Sequence, residues 1–317
     1  MEHVVLHKLV LIIILGIVCQ WFAWRFKFPS IALFAVVGLA IGPIFQFVDP
    51  SQDFGVLVEA IIKLALAIIL FEGGLNLKFH ELTHTGKAVK HLILLGLPLS
   101  WFFGFLVCYW VANLSITLSL LLSSILVVTG PTVILPLIRQ TKLKTRTSSL
   151  LKWEGIINDP IGILLAVLVF QFVVASDFIA LDKSTILYLL GSIASSILIG
   201  FGGGHFLKFV FEKGHVPEFL KLPMVLATVL SLYALSNIFQ EEIGLLTVTV
   251  MGITMGNIGM LIIYELRKFK ENITAILVPV VFIILTADLN LKDLMGLNWR
   301  VFLFLFCFFF FDCLPLS

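Results

Sequence analysis

The chain has 317 residues, of which 60% are hydrophobic and only 13% charged, with a mean hydropathy of +1.12. A soluble domain carries about 25% charged residues; here the charges gather between apolar runs of roughly 18 to 25 residues, the length one helix needs to cross a bilayer, which excludes a soluble protein with a buried core. The formal net charge of +2 offers no footprint for nucleic acid, and Cys19, Cys108, Cys307 and Cys313 lack zinc or disulfide spacing and read as small residues in apolar surroundings.

Eleven spans are predicted, over 4–24, 29–48, 54–76, 88–112, 115–138, 148–175, 185–211, 222–240, 243–264, 273–290 and 299–314. The first, within Met1 to Trp24, has no basic leader and no small-x-small cleavage site, so it reads as a span and not as a removable signal peptide. Sixteen of the 21 lysines and arginines fall in the loops after odd-numbered spans or at the span ends that border them, with Arg139, Lys142, Lys144, Arg146 and Lys152 the densest group. That asymmetry puts the odd loops in the cytoplasm and the N-terminus outside.

Ionisable groups inside a membrane are costly, so each is a candidate for function. In span 3, Glu59 and Lys63 are four apart and read as a mutually neutralising pair. Glu72, in Phe71-Glu72-Gly73-Gly74-Leu75, lies near the cytoplasmic end and reads equally as a lining of an inward funnel or as a snorkelling interfacial acid. Span 5 carries Ser123, Ser124 and then Thr129-Gly130-Pro131-Thr132. Gly130 and Pro131 are expected to break this helix near mid-membrane, freeing backbone carbonyls beside the hydroxyls of Thr129 and Thr132. Oxygen ligands of that kind suit a hard cation such as Na⁺; a plain proline kink is the alternative.

Span 6 reads Glu154-Gly155-Ile156-Ile157-Asn158-Asp159-Pro160. Counted from Ser148, Asp159 lies about 16 Å into the helix, near the midplane. Glu154 and Asn158 share a face, and Pro160 cannot donate to the carbonyl of Ile156, which leaves an acceptor beside the carboxylate. A structural carboxylate is the bland reading of the same residues. Farther on, His205 follows Gly202-Gly203-Gly204, a group that reads as helix packing. Gly252 and Gly256 form a small-xxx-small pair for close helix contact, and Asp288 reads as a helix-end or vestibule acid, with an ion ligand as the alternative. The chain closes on a Phe-rich run, Phe302 to Phe311.

Five stretches together resemble the monovalent cation:proton antiporter family of sodium/hydrogen exchanger type. They are Pro29-Ser30-Ile31 through Gly38 and Gly42-Pro43; Phe71 to Leu75; Thr129 to Thr132; Glu154 to Pro160; and Ile284 to Leu294. The Glu-Gly-x-x-Asn-Asp run is the specific one, and the resemblance covers essentially the whole chain. It implies an all-α inverted-repeat membrane fold with a broken helix in span 5, and a homodimer with a dimerisation domain and a mobile core. It also implies that Asp159 binds either a cation or a proton, with Asn158 as its stabilising neighbour, and that an Asn-Asp pair accompanies electroneutral exchange.

The family fold has thirteen spans, and this chain supplies eleven. The family's late arginine, partner of the glutamate matching Glu154, is absent from Leu314-Pro315-Leu316-Ser317. Residues 1–317 are therefore expected to form one exchanger transmembrane domain lacking its last two spans, a truncated gene product whose frame slipped in the Phe run.

The expected function is secondary active exchange of a monovalent cation, Na⁺ or K⁺, for H⁺ by alternating access. Asp159, Asn158, Thr129 and Thr132 form the ion site, supported by Glu154, Gly130, Pro131, Pro160 and Glu72, with Na⁺ a transient ligand of Asp159. The alternative is an inactive truncated fragment. Neither enzymatic chemistry nor a cofactor is expected. The expected setting is a lipid bilayer, the plasma membrane (the inner membrane in a bacterium). A channel would need a continuous polar pore and filter repeats, and an intramembrane hydrolase a nucleophile or paired metal ligands; the sequence offers neither.

Overall fold

A computed structural model describes residues 2–26, 28, 30–75, 77, 79, 82–127, 147–148, 150–151, 153–155, 158, 162, 165–166, 169, 183–239, 243–259 and 263–290. The described elements are all helical: α1 (Glu2–Phe26), α2 (Ser30–Leu39), α3 (Pro50–Phe54), α4 (Leu57–Leu75), α5 (Leu82–His91), α6 (Leu97–Trp110), α7 (Ile116–Leu126), α8 (Lys183–Glu212), α9 (Glu218–Phe239), α10 (Ile243–Asn257) and α11 (Ile263–Ala287). Among the described residues, four stretches are long and apolar enough to cross a membrane, Val5–Phe26, Ala88–Trp110, Gly191–Glu212 and Glu218–Phe239. Each falls on a predicted span. α4 is also long, but Glu59, Lys63 and Glu72 interrupt its apolar run.

Two of the helices widen into π turns, and proline stands at each. Ala40–Ile44 prolongs α2 and contains Pro43. A proline ring clashes with the carbonyl four residues back and cannot donate to it, and the chain answers with a wider turn in which Phe45 N donates to Ala40 O at 2.9 Å. Leu92–Gly96 joins α5 to α6 just ahead of Pro98. The helix of span 4 thus begins at Leu82, six residues before the predicted start. Its first turns, Leu82 to His91, are polar, and hydropathy sees only the apolar part.

The described residues divide into two compact units. One holds α1 to α3, α4 as far as Ile69, and α11. Its core is Ile12, Cys19, Phe34, Ile41, Val48, Phe54, Val280, Ile283, Ile284 and Ala287. α2 lies close on α11, since a Cβ added at Gly38 would stand 2.7 Å from the carbonyl oxygen of Ile283. Two polar ties close this unit at α3. Lys8 Nζ donates to both oxygens of Asp53 at 2.6 Å, and Asp288 Oδ1 accepts from Ser51 N at 2.9 Å and Ser51 Oγ at 2.6 Å. Asp49 caps α3 by accepting from Gln52 N. The pair Glu59–Lys63 forms as expected, at 2.7 Å.

The other unit holds α4 from Leu70 onward and α5 to α10. Its centre is α10, which is buried on nearly every side, Ile243, Leu245, Val248, Met251 and Met255 included. A helix apolar and small all round is a helix surrounded by others. Against α9, Thr247 Oγ1 donates to Ser236 Oγ at 2.8 Å and Gly244 N to Asn237 Oδ1 at 2.8 Å. Against α8, Gly200, Gly203 and Gly204 meet Thr247, Met251 and Thr254. The glycine group ahead of His205 is therefore packing, as the sequence suggests. Gly202 is the exception, with open space around it, and His205 itself is exposed, its Nδ1 3.0 Å from Phe201 O.

Candidate functional site

The predicted site residues divide by what the structure describes. Thr129, Gly130, Pro131, Thr132, Asp159 and Pro160 lie outside the described residues, and so does the expected break in span 5. Glu72, Glu154 and Asn158 are described, all three in the unit centred on α10.

Glu72 stands on the last turns of α4, where glycines bring that helix onto α10 backbone to backbone. A Cβ added at Gly74 would lie 2.5 Å from Thr249 O, and one at Gly256 would lie 2.7 Å from Leu75 O. Gly252 likewise has no room for a Cβ against Phe71 O. The predicted pair Gly252 and Gly256 thus has a definite partner, the stretch Phe71 to Leu75, and Gly74 completes the seam from the other side. One carboxylate oxygen of Glu72, Oε2, is buried, as is Oε2 of Glu154.

The short helical stretch Trp153 to Gly155 presents Glu154. Trp153 is 2% exposed and packs with Leu77 and Val89, with Ile93 and Ile253 against them. Its ring faces that of Phe79 at 6.2 Å with 26° between planes. Trp153, the residue just before Glu154, thus packs on the chain that leaves α4 after Glu72. Asn158 is buried, 5% exposed, and its Oδ1 has no hydrogen-bond partner among the described residues. Burying an amide oxygen without a donor costs free energy.

On α7, Ser115 caps the start by accepting from Leu118 N. Ser119, Ser123 and Ser124 are fully buried. Ser123 Oγ donates to Leu120 O at 3.0 Å and Ser124 Oγ to Leu121 O at 2.7 Å. Both hydroxyl protons are spent on the helix's own carbonyls, which leaves their oxygens as acceptors.

Asn257 was not among the expected residues. Its Nδ2 donates to Leu77 O at 2.8 Å and Ile253 O at 2.7 Å, and its Oδ1 accepts from Phe79 N at 2.7 Å. The available signal was an asparagine closing a helix two residues before Gly259, whose φ is +71°; nothing in that signal points 180 residues back. Among the described residues no group of three or more His, Cys, Asp or Glu is placed to hold a resident metal.

A family model described as "Sodium/hydrogen exchanger, transmembrane" matches residues 9–313. The K(+)/H(+) antiporter NhaP of Alkalimonas amylolytica is 27% identical over 251 residues, 77% of this chain and 42% of that protein. The Na(+)/H(+) antiporter ApNhaP of Aphanothece halophytica is 25% identical over 280 residues, 84% of this chain and 51% of that protein. The chain thus spans about half the length of these two relatives. In fold it matches the solved sodium proton antiporter MjNhaP1 of Methanocaldococcus jannaschii with a TM-score of 0.76 at 20% identity, over 92% of this chain and 72% of that one.

Proposed function

The chain belongs to the sodium/hydrogen exchanger family, and we propose that it exchanges a monovalent cation, Na⁺ or K⁺, for H⁺ across a membrane at a site centred on Asp159. The observation that carries this reading is Asn158, a buried amide whose Oδ1 has no hydrogen-bond partner among the described residues and which directly precedes Asp159. A carboxylate with a neighbouring amide oxygen is a ligand set for a hard monovalent cation, and one carboxylate is neutralised equally by one cation or one proton. That equivalence favours one-for-one, electroneutral exchange.

Thr129 and Thr132 would add hydroxyl oxygens, and Gly130 and Pro131 would open the helix to free carbonyls. Glu154 and Glu72, each with a buried carboxylate oxygen, would line the approach, and Pro160, which has no N–H to donate, would leave the carbonyl of Ile156 open. The names of the relatives, which include both Na(+)/H(+) and K(+)/H(+) antiporters, support either cation. We read residues 1–317 as part of one exchanger transmembrane domain that works as a homodimer in the plasma membrane, the inner membrane in a bacterium. The placement of basic loops supports an N-terminus outside.

The test is dissipation of a preset pH gradient in proteoliposomes on addition of NaCl or KCl, with the parent chain and Asp159→Asn side by side. The reading expects cation-driven dissipation by the parent and none above empty vesicles by Asp159→Asn. Dissipation that survives the substitution removes Asp159 from the site.

A further inference from the structure

We propose that Asn257 is a positioning residue for this ion site: by fixing the backbone at Leu77 and Phe79 it sets the surface on which Trp153 seats Glu154 and Asn158. The inference rests on the antiporter reading and extends it to a residue that touches neither cation nor carboxylate.

Past Leu75 the chain has left α4, so the carbonyl of Leu77 and the N–H of Phe79 need partners from elsewhere. Asn257 supplies both. A side-chain amide carries a donor and an acceptor on one planar group, and here it answers a backbone carbonyl and a backbone N–H together, at 2.8 and 2.7 Å. Its second N–H returns to Ile253 O, which locks the side chain to its own helix. Gly256 makes the reach possible: without a Cβ there, α10 comes close enough to Leu75 for a short side chain to span to residues 77 and 79.

What is fixed in this way carries Trp153. Leu77 is fully buried against it, Phe79 stacks on its ring, and Ile253, one turn from Asn257 on α10, packs on the same cluster. Trp153 immediately precedes Glu154 and lies five residues before Asn158. The same tied stretch begins five residues after Glu72. One amide therefore registers the two acid-bearing segments, Glu72 on one side and Glu154 with Asn158 on the other, against the central helix. Groups outside a coordination shell that orient its members typically cost about 10-fold or more in ion affinity when lost.

The experiment compares the full chain, Asn257→Ala and Thr254→Val in two readouts. Thr254 is on the same helix, where its hydroxyl bonds Val250 O and its methyl meets Gly204, so Thr254→Val perturbs α10 without touching the tie. The first readout is hydrogen–deuterium exchange of peptides covering residues 77–79 and 153–158. The second is the apparent KM for Na⁺ in pH-gradient dissipation.

Asn257→Ala is expected to raise uptake in both peptides and to raise the apparent KM about 10-fold, while Thr254→Val leaves both at parent values. Unchanged uptake at 153–158, or raised uptake with the parent's KM, overturns the proposal. Should Asn257→Ala fail to fold, Asn257→Asp keeps the acceptor for Phe79 N, loses both donations, and is judged by the same outcomes. A failure of the antiporter reading looks different: the parent chain exchanges no cation, or Asp159→Asn still exchanges it, and either result takes this proposal with it.

Discussion

Gly74 faces the backbone carbonyl of Thr249 so closely that a Cβ added at Gly74 would lie 2.5 Å from that oxygen and 2.9 Å from Ile253 N. Neither neighbour is a movable side chain. Gly74→Ala must therefore drive α4 and α10 apart, at a cost of about 1–3 kcal/mol, read as a lower thermal midpoint in detergent or nanodiscs. Gly202→Ala on α8 is the contrast. Nothing lies within 4 Å of its added carbon, and relief of helical glycine should stabilise by about 0.5–1 kcal/mol. Equal effects from the two substitutions would mean that the seam between α4 and α10 is not tight.

Lys8 and Asp53 make the second prediction. Both carboxylate oxygens of Asp53 are engaged by Lys8 Nζ, with side chains 24% and 16% exposed. Removing one partner leaves a charge half out of water, so Lys8→Met should cost about 2 kcal/mol. Lys8→Met with Asp53→Leu should recover most of it, because the desolvated pair is replaced by apolar contact. The check is a double-mutant cycle on the unfolding midpoint; additive losses would show that the two groups are not coupled.

Much of this was legible in the sequence, and the exceptions have a common cause. Glu59–Lys63 and the Gly252, Gly256 pair announce themselves through helical spacing, so the ion pair and the helix seam were both predictable. Lys8–Asp53, Asp288–Ser51 and Asn257–Leu77 join residues 45, 237 and 180 positions apart, and no periodicity carries that information. The start of α5 at Leu82 was missed for another reason: its first turns are polar, so the hydropathy of span 4 marks where the apolar stretch begins and not where the helix does. Asp159 and the Thr129–Thr132 stretch were identified from residue chemistry and from resemblance to the family, and both lie outside the described residues.

Asp288 is the acid whose fold role is plainest. It accepts two bonds from Ser51 at the start of α3 and is exposed, as a helix-end acid should be. Asp288→Ala is expected to lower stability by about 1 kcal/mol, the order of a lost helix cap, and to leave the apparent KM for Na⁺ at the parent's value. A raised KM at unchanged stability would move Asp288 into the ion path.

Asn158 should behave in the opposite way. If its buried amide oxygen is a ligand of the cation, as proposed, Asn158→Ala is expected to raise the apparent KM for the cation about 10-fold with the maximal rate less affected. Initial rates across a range of Na⁺ and K⁺ concentrations give the split. Loss of rate with KM unchanged would assign Asn158 to the movement of the site instead of to its ligands.

The central claim is that one carboxylate, Asp159, holds either the cation or the proton and never both. The direct measurement is the apparent KM for Na⁺ as a function of pH in proteoliposomes. Competition at a single group predicts a KM that climbs toward about tenfold per unit of falling pH once the proton dominates the site, with the maximal rate recovered at high Na⁺. A KM that stays flat across that range, with rate alone falling, would mean that cation and proton bind at separate groups, and would contradict the account.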